Sequence, residues 1–237
     1  MASELNLPKH IGIICDGNRR FARTIDQEVA KGHEYGADKI EDVLDWCMEL
    51  GVKTLTLWLF STENFGRAAE ELDVLFRIAE KTAYKFADDK RTHESRIKLN
   101  IVGDVEKFPE YVKKALDYAV EKTKTYGNFC LNVAVGYGGK HEIVSATKKI
   151  AEMVKAGLLS PNDITPERLE DQMFSSAVPN VDLVIRTSGE QRTSGFLMWK
   201  SDYAEYYFCE KLWPQFEKED LIRAIVDYSE RKRRFGK

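Results

Sequence analysis

The chain has 237 residues, 43% hydrophobic and 32% charged, enough for one large globular domain with a sizeable core. Its 36 Lys and Arg against 39 Asp and Glu leave a formal net charge of −3, which excludes a global affinity for nucleic acid and requires any anionic ligand to find a local basic site. No apolar run approaches the ~20 residues that span a bilayer, and MASELNLPKH has no apolar signal region, so the expectation is a cytoplasmic protein whose membrane contact is at most peripheral.

The first predicted strand is 10–15, HIGIIC, and it runs into Asp16-Gly17-Asn18-Arg19-Arg20. A carboxylate beside two guanidinium groups at the end of a buried strand costs desolvation energy unless a ligand completes the charge balance. Ile40, Val43, Leu44, Cys47 and Leu50 then recur at helical spacing, and Gly51 ends the helix. The second strand, 53–60 (KTLTLWLF), places Leu55, Leu57 and Leu59 on one face and Thr56, Trp58 and Phe60 on the other. It leads into Ser61-Thr62-Glu63-Asn64-Phe65-Gly66-Arg67. The following helix, 69–89, carries Leu72, Leu75, Phe76, Ala79, Ala83 and Phe86 on one face.

Strands at 97–102 and 129–135 alternate with helices at 109–125 and 141–156. Between them, Gly136-Tyr137-Gly138-Gly139-Lys140 reads as a turn, since its spacing is not that of a phosphate-binding P-loop. Pro161 and Pro166 mark a surface connection. The strand 182–186 (DLVIR) opens a third polar cluster, Arg186 to Ser194, and a strand at 203–208 and a helix at 218–232 complete the order. Cys15, Cys47, Cys130 and Cys209 lack paired metal-ligand spacing, and Cys15 and Cys130, inside apolar strand-like runs, read as small, reduced core residues.

This alternation predicts an α/β domain with right-handed crossovers and an open, doubly wound sheet. In such sheets ligands sit beyond the carboxyl ends of the strands, where all three polar clusters fall. Together they offer Arg19, Arg20, Arg67, Arg186 and Arg192 with glycines and hydroxyls, the chemistry of binding more than one phosphate group. Asp16 within that cluster suits Mg²⁺, which commonly bridges a carboxylate and substrate phosphates. Taken singly, Asp16 is a helix cap, each arginine a solvated surface residue, and His33 a packing residue. Three arginine-bearing loops after three strands outweigh those separate readings.

The motifs DGNRRFA, Gly32-His33, FSTENFGR, VDLVIRTSGEQRTSGF and RKRRFG resemble cis-prenyltransferases of the undecaprenyl diphosphate synthase type, over Pro8 to Gly236. The resemblance implies a single catalytic domain, 1–237, with a six-stranded, mostly parallel sheet flanked by helices, an apolar tunnel and assembly as a homodimer. It implies Mg²⁺-dependent addition of isopentenyl diphosphate to an allylic diphosphate, with a new Z double bond at each step. By position, Asp16 resembles the acid that handles the Mg²⁺–diphosphate. Gly17, Asn18, Arg19, Arg20 and Phe21 resemble the allylic diphosphate loop, with His33 nearby. Ser61, Thr62, Glu63, Asn64, Phe65 and Arg67 resemble a mobile substrate loop in which Asn64 is assigned to proton removal; an amide is a weak base, so orienting is its expected part. Arg186, Arg192, Thr193 and Ser194 resemble the isopentenyl diphosphate pocket. Glu205 matches a second metal carboxylate, and Arg234-Phe235-Gly236 a C-terminal segment that reaches the partner's active site in some members.

The chain departs from the family pattern at several places. Phe21 and Phe65 stand where Trp is common, and Val29 where many members carry Arg. Leu59 stands where many long-chain relatives have Ala, which favours a short-to-medium product. Leu55, Leu57, Leu59, Leu72, Leu75 and Phe76 are the expected tunnel lining. Two other function classes fit the sequence less well. A non-catalytic partner subunit disagrees with the presence of Asp16, Asn18, Arg20, Asn64 and Glu205. A trans-type synthase disagrees with the strand pattern, and Asp88-Asp89 continues as Lys90-Arg91-Thr92 rather than as a DDxxD motif.

Overall fold

The computed structural model describes residues 6–231. In chain order the regular elements are β1 (His10–Ile14), α1 (Asn18–Thr24), α2 (Val29–Glu49), β2 (Thr54–Ser61), α3 (Ala69–Asp88), α4 (Lys90–Glu94), β3 (Ile97–Val102), α5 (Glu110–Thr123), β4 (Phe129–Tyr137), α6 (Gly139–Lys155), α7 (Pro166–Glu170), β5 (Leu183–Arg186), β6 (Glu205–Phe208) and α8 (Lys218–Glu230). The six strands form one sheet in the order β3-β4-β2-β1-β5-β6, with every pairing parallel. All strand carboxyl ends therefore share one edge, as the sequence pattern anticipates. Arg234-Phe235-Gly236 lies outside the described residues, as does the last residue expected for the final helix.

Helices cover both faces. One side buries Ile11, Ile13, Leu55, Leu57 and Leu131 against residues of α2, α5 and α8. The other buries Ile14, Trp58, Ala134 and Val184, with Phe196 stacked on Trp58 at 5.4 Å between ring centroids. At the amino end of β1, His10 is buried: its Nδ1–H faces the carbonyls of Pro179 and Asn180 at 3.0 and 3.2 Å, and its Nε2 accepts from Thr56 Oγ1 at 2.7 Å. Burial, opposed by those backbone contacts, pushes the His10 pKa down to about 4.

Three local features differ from the sequence reading. The polar run after β1 is a helix, α1, rather than an extended loop. α2 begins at Val29, well before its apolar stripe, because Gly32 and Gly36 let α1 lie directly against it. A Cβ at Gly32 would meet Asn18 O at 2.2 Å, and one at Gly36 would meet Asn18 Oδ1 at 2.3 Å. Thirdly, β2 does not alternate to its end. Trp58 pairs with Ala134 and Phe60 with the next residue, Val135, so Leu59 is the extra residue of a bulge. Phe60 consequently joins the side of Leu55 and Leu57, not that of Trp58, which corrects the expected facing.

Candidate active site

Three strand ends build a polar pocket of about 480 Å³. From the end of β1 and from α1 it takes Asp16, Gly17, Asn18, Arg19 and Arg20, from α2 His33, from the end of β2 and the segment after it Ser61, Asn64 and Arg67, and from β5 and its loop Arg186 and Ser194. Arg23 also lines it, a residue the motif reading passes over.

Asp16 sits between two arginines. Arg186 Nη2 donates to its Oδ2 at 2.8 Å, and Arg20 Nη2 lies 3.5 Å from its Oδ1. Its backbone is tied to β5: Thr187 Oγ1 donates to Asp16 O at 2.7 Å and accepts from Asp16 N at 3.0 Å. Burial pushes the Asp16 carboxyl up, but hydrogen bonds from Arg186 and Ser188 and the charges of Arg186 and Arg20 outweigh it and hold the pKa below the ordinary carboxylate value. Arg186 is itself buried, and its Nη1 donates to Arg192 O at 2.6 Å and to Ser194 Oγ at 2.9 Å.

The loop after β2 is a 3₁₀ turn, Thr62–Gly66, closed by a reciprocal cap. Asn64 Oδ1 accepts from the Ser61 N–H at 3.0 Å, so that oxygen is already occupied and the amide group is left to face the pocket as a donor. The next helix supplies a residue that motif reading misses. Glu71 Oε1 accepts from Arg67 Nη1 at 2.9 Å and from His33 Nε2 at 3.1 Å, with Arg19 Nε 3.8 Å away. One carboxylate thus joins α1, α2 and the loop. The i,i+4 spacing of Arg67 and Glu71 is the signal that finds it. Burial raises the Glu71 pKa, but the His33 hydrogen bond and the charges of Arg67 and Arg19 more than reverse this. Desolvation lowers that of His33 despite Glu71, which keeps the ring neutral near pH 7.

Other expected site residues stand behind the lining. Phe21 meets Tyr35 edge-on at 5.4 Å, and Phe65 packs on Phe60 at 4.8 Å and on Phe108 at 5.2 Å. Thr62 abuts Gly138, where a Cβ would come within 2.5 Å of its Oγ1, and Glu63 is exposed on the 3₁₀ turn. Arg192 contributes its carbonyl to Arg186 while its guanidinium pairs with Glu190, and Thr193 O accepts from Phe196 N at 3.0 Å. Glu205 is not brought to Asp16 within the chain. It opens β6 in register with Leu183, whereas Arg186 pairs with Phe208, so it lies three residues, roughly 10 Å of strand, from the edge that carries the pocket. Its carboxylate accepts instead from Arg231 at 2.9 Å. Among the described residues no group of three or more His, Cys, Asp or Glu is placed to hold a metal ion.

An apolar cavity of about 140 Å³ adjoins the polar pocket, between α2, α3 and the sheet. Cys15, Asn18, His33, Leu59, Phe60 and Leu75 border both, forming a throat. Leu59, Leu75 and Phe76 line the cavity, while Leu55 and Leu57 are fully buried in the core and Leu72 packs at its margin. The bulge explains the selection, because it turns Leu59 and Phe60 to the same side.

A parallel α/β sheet whose strand ends hold five arginines beside an apolar cavity defines a protein for amphiphilic phosphate esters, with the charged group outside and the hydrocarbon within. Residues 14–236 match the family described as "Putative undecaprenyl diphosphate synthase". The chain is 47% identical over 234 residues to the tritrans,polycis-undecaprenyl-diphosphate synthase (geranylgeranyl-diphosphate specific) of Methanocaldococcus jannaschii, covering 98% of this chain and 84% of that one. It is 42% identical over 235 residues to an isoprenyl transferase of Thermus thermophilus, covering 98% and 89%. The crystal structure of lavandulyl diphosphate synthase from Lavandula x intermedia in complex with dimethylallyl diphosphate matches with a TM-score of 0.91 at 34% identity, over 98% of this chain and 99% of that one. The chain belongs to the undecaprenyl diphosphate synthase family and is a cis-prenyltransferase.

Proposed function

We propose that the chain, acting as one catalytic domain, condenses isopentenyl diphosphate with an allylic diphosphate and lays the growing Z-polyprenyl chain in the apolar cavity. The throat shared by the two cavities carries this reading, because it puts a phosphate-binding surface and a hydrocarbon-binding surface on one continuous path. Asn18 and His33 at the throat, with Arg19, Arg20 and Arg67 in the adjoining polar pocket, suit the allylic diphosphate. Arg186, Ser194 and the Arg192 segment lie across Asp16 from them and suit isopentenyl diphosphate.

Diphosphate leaves when its developing charge is neutralised, which the arginines accomplish in a pocket only partly open to water. The alkene of isopentenyl diphosphate then attacks the allylic carbon, and a proton is lost to a neighbouring oxygen of diphosphate or of Asp16. Asn64, with its oxygen capped, orients the substrate through its amide N–H groups. Mg²⁺ suits Asp16, a single ionised carboxylate at the phosphate-binding edge, and supplies further charge neutralisation of diphosphate when bound. Glu205 is too far along the sheet to complete such a site within one chain.

The names of the relatives make geranylgeranyl diphosphate the first primer to test. Leu59 at the throat favours a short-to-medium product. A homodimer follows from the family resemblance alone. Four free cysteines and the absence, among the described residues, of a helix apolar enough to cross a membrane agree with a cytoplasmic enzyme that meets the membrane only at its surface. Incubation with labelled isopentenyl diphosphate and a panel of allylic primers, with and without Mg²⁺, followed by mass spectrometry, tests the proposal. Absence of any elongated diphosphate would overturn it.

A further inference from the structure

We propose that Arg23 takes the outer phosphate of the allylic substrate and so makes the pocket distinguish a prenyl diphosphate from a prenyl monophosphate. The inference rests on the pocket assignment above and adds a specificity-determining residue to it.

Five arginines line the polar pocket: Arg19, Arg20, Arg23, Arg67 and Arg186. Four already face carboxylates. Arg19 lies 3.8 Å from Glu71, Arg20 3.5 Å from Asp16, Arg67 2.9 Å from Glu71 and Arg186 2.8 Å from Asp16. Arg23 is exposed, and among the described residues its guanidinium has no protein partner. It is the lining cation whose charge no carboxylate offsets. α2 adds only His33 to the lining, so no cation from that helix supplements it.

Its place on α1 sets which phosphate it meets. Asn18, at the start of α1, borders the apolar cavity as well as the pocket, whereas Arg23 borders only the pocket. Arg19 and Arg23 are four residues apart and share a face of the helix, about one turn or ~6 Å along its axis. A ligand whose tail enters the throat meets Asn18, Arg19 and Arg20 with its first phosphate. The second phosphate extends away from the tail, along the helix toward Arg23. That terminal phosphate carries the greater negative charge, and it meets the cation still without a counter-ion. The plain alternative is that Arg23 only complements the carboxyl end of the α1 dipole. A dipole partner would be indifferent to how many phosphates a ligand carries.

The test is a cycle that removes the arginine and the outer phosphate separately. Binding of farnesyl thiolodiphosphate, which does not turn over, and of farnesyl monophosphate is measured by calorimetry on the full chain at fixed low ionic strength. Wild type should bind the diphosphate more tightly. Arg23→Gln should weaken the diphosphate about tenfold, as expected for loss of one exposed charge-assisted contact, and move the monophosphate by less than about twofold. Arg23→Lys should recover most of the loss, and Arg23→Glu should deepen it. Equal weakening of both ligands by Arg23→Gln, or no weakening of either, would overturn the assignment. Monophosphate binding also reports whether the variant pocket is intact. Failure of wild type to bind either ligand would instead overturn the substrate reading on which the inference stands.

Discussion

Leu59→Ala removes an isopropyl group from a position that borders both the phosphate pocket and the apolar cavity. A fully buried Leu→Ala change costs about 2–5 kcal/mol, with the cost rising as the residual void grows. Leu59 is only partly buried and already faces empty space, so the lower end applies, about 2 kcal/mol. In a chain of this length that corresponds to a fall of about 4–8 °C in Tm. The cavity holds about 140 Å³ before the change, and its walls are close-packed side chains that yield little to extra methylenes. Removing three carbons at the throat should therefore lengthen the product by on the order of one five-carbon unit, the space released being of that size. Products are dephosphorylated, separated by chromatography and weighed by mass spectrometry for both proteins, alongside thermal melts. A lowered Tm with an unchanged product distribution would show that Leu59 merely packs the fold and does not set the reach of the throat.

Three further outcomes are expected. Asp16→Asn keeps size but discards the charge that Arg186 and Arg20 share; kcat should fall at least ~10²-fold with an unaltered circular dichroism spectrum, and near-normal turnover would defeat the assignment. Arg186→Ala should raise KM for isopentenyl diphosphate more than for the primer, and Glu71→Ala, which unties Arg67 and His33, should raise KM for the primer, by roughly 1.5–3 kcal/mol each. Equal effects on both substrates from the two variants would refute the separate pockets. His10 titrates near 4 when folded against 6.5 in the unfolded chain. The unfolded state therefore binds the extra proton between those values, and stability should drop as pH falls from 6.5 to 4, by about 3 kcal/mol from this residue. Urea titrations across that range should show a shallower dependence in His10→Gln, and identical slopes would contradict the buried neutral ring.

Much of the architecture is legible because parallel strands buried on both faces must be apolar throughout. KTLTLWLF, FCLNVAV and DLVIR declare themselves in that way, and their ends deviate by only a residue or two. The first half of α2 is not legible, since Lys31-Gly32-His33-Glu34-Tyr35-Gly36 lacks an apolar stripe and its glycines serve contact with α1 rather than a turn. The pocket was readable where charge follows a strand, as at Asp16, Arg67 and Arg186. It was unreadable where a residue's part depends on depth within the sheet. Glu205 matches a motif by position in the chain, yet its strand enters the sheet at the wrong end for the pocket. Phe60 lies on the face opposite to the one alternation predicts, because strict alternation cannot anticipate an inserted residue. Arg23 hides because a cation in the last turn of a helix is ordinary until its neighbours are seen to be paired.

The bulge at Leu59 divides β2 into two mechanical regimes. From Thr54 to Trp58 the strand is locked in step with β1 and β4, so a one-residue slip there would turn core leucines toward the opposite layer. After Trp58 the ladder slips by one residue at Phe60 and recovers its step at Ser61, which pairs with Tyr137, so the residues that shape the throat sit where the pairing is locally irregular. Substitutions at Leu59 and Phe60 can therefore alter the width of the passage without renegotiating the pairing of the sheet.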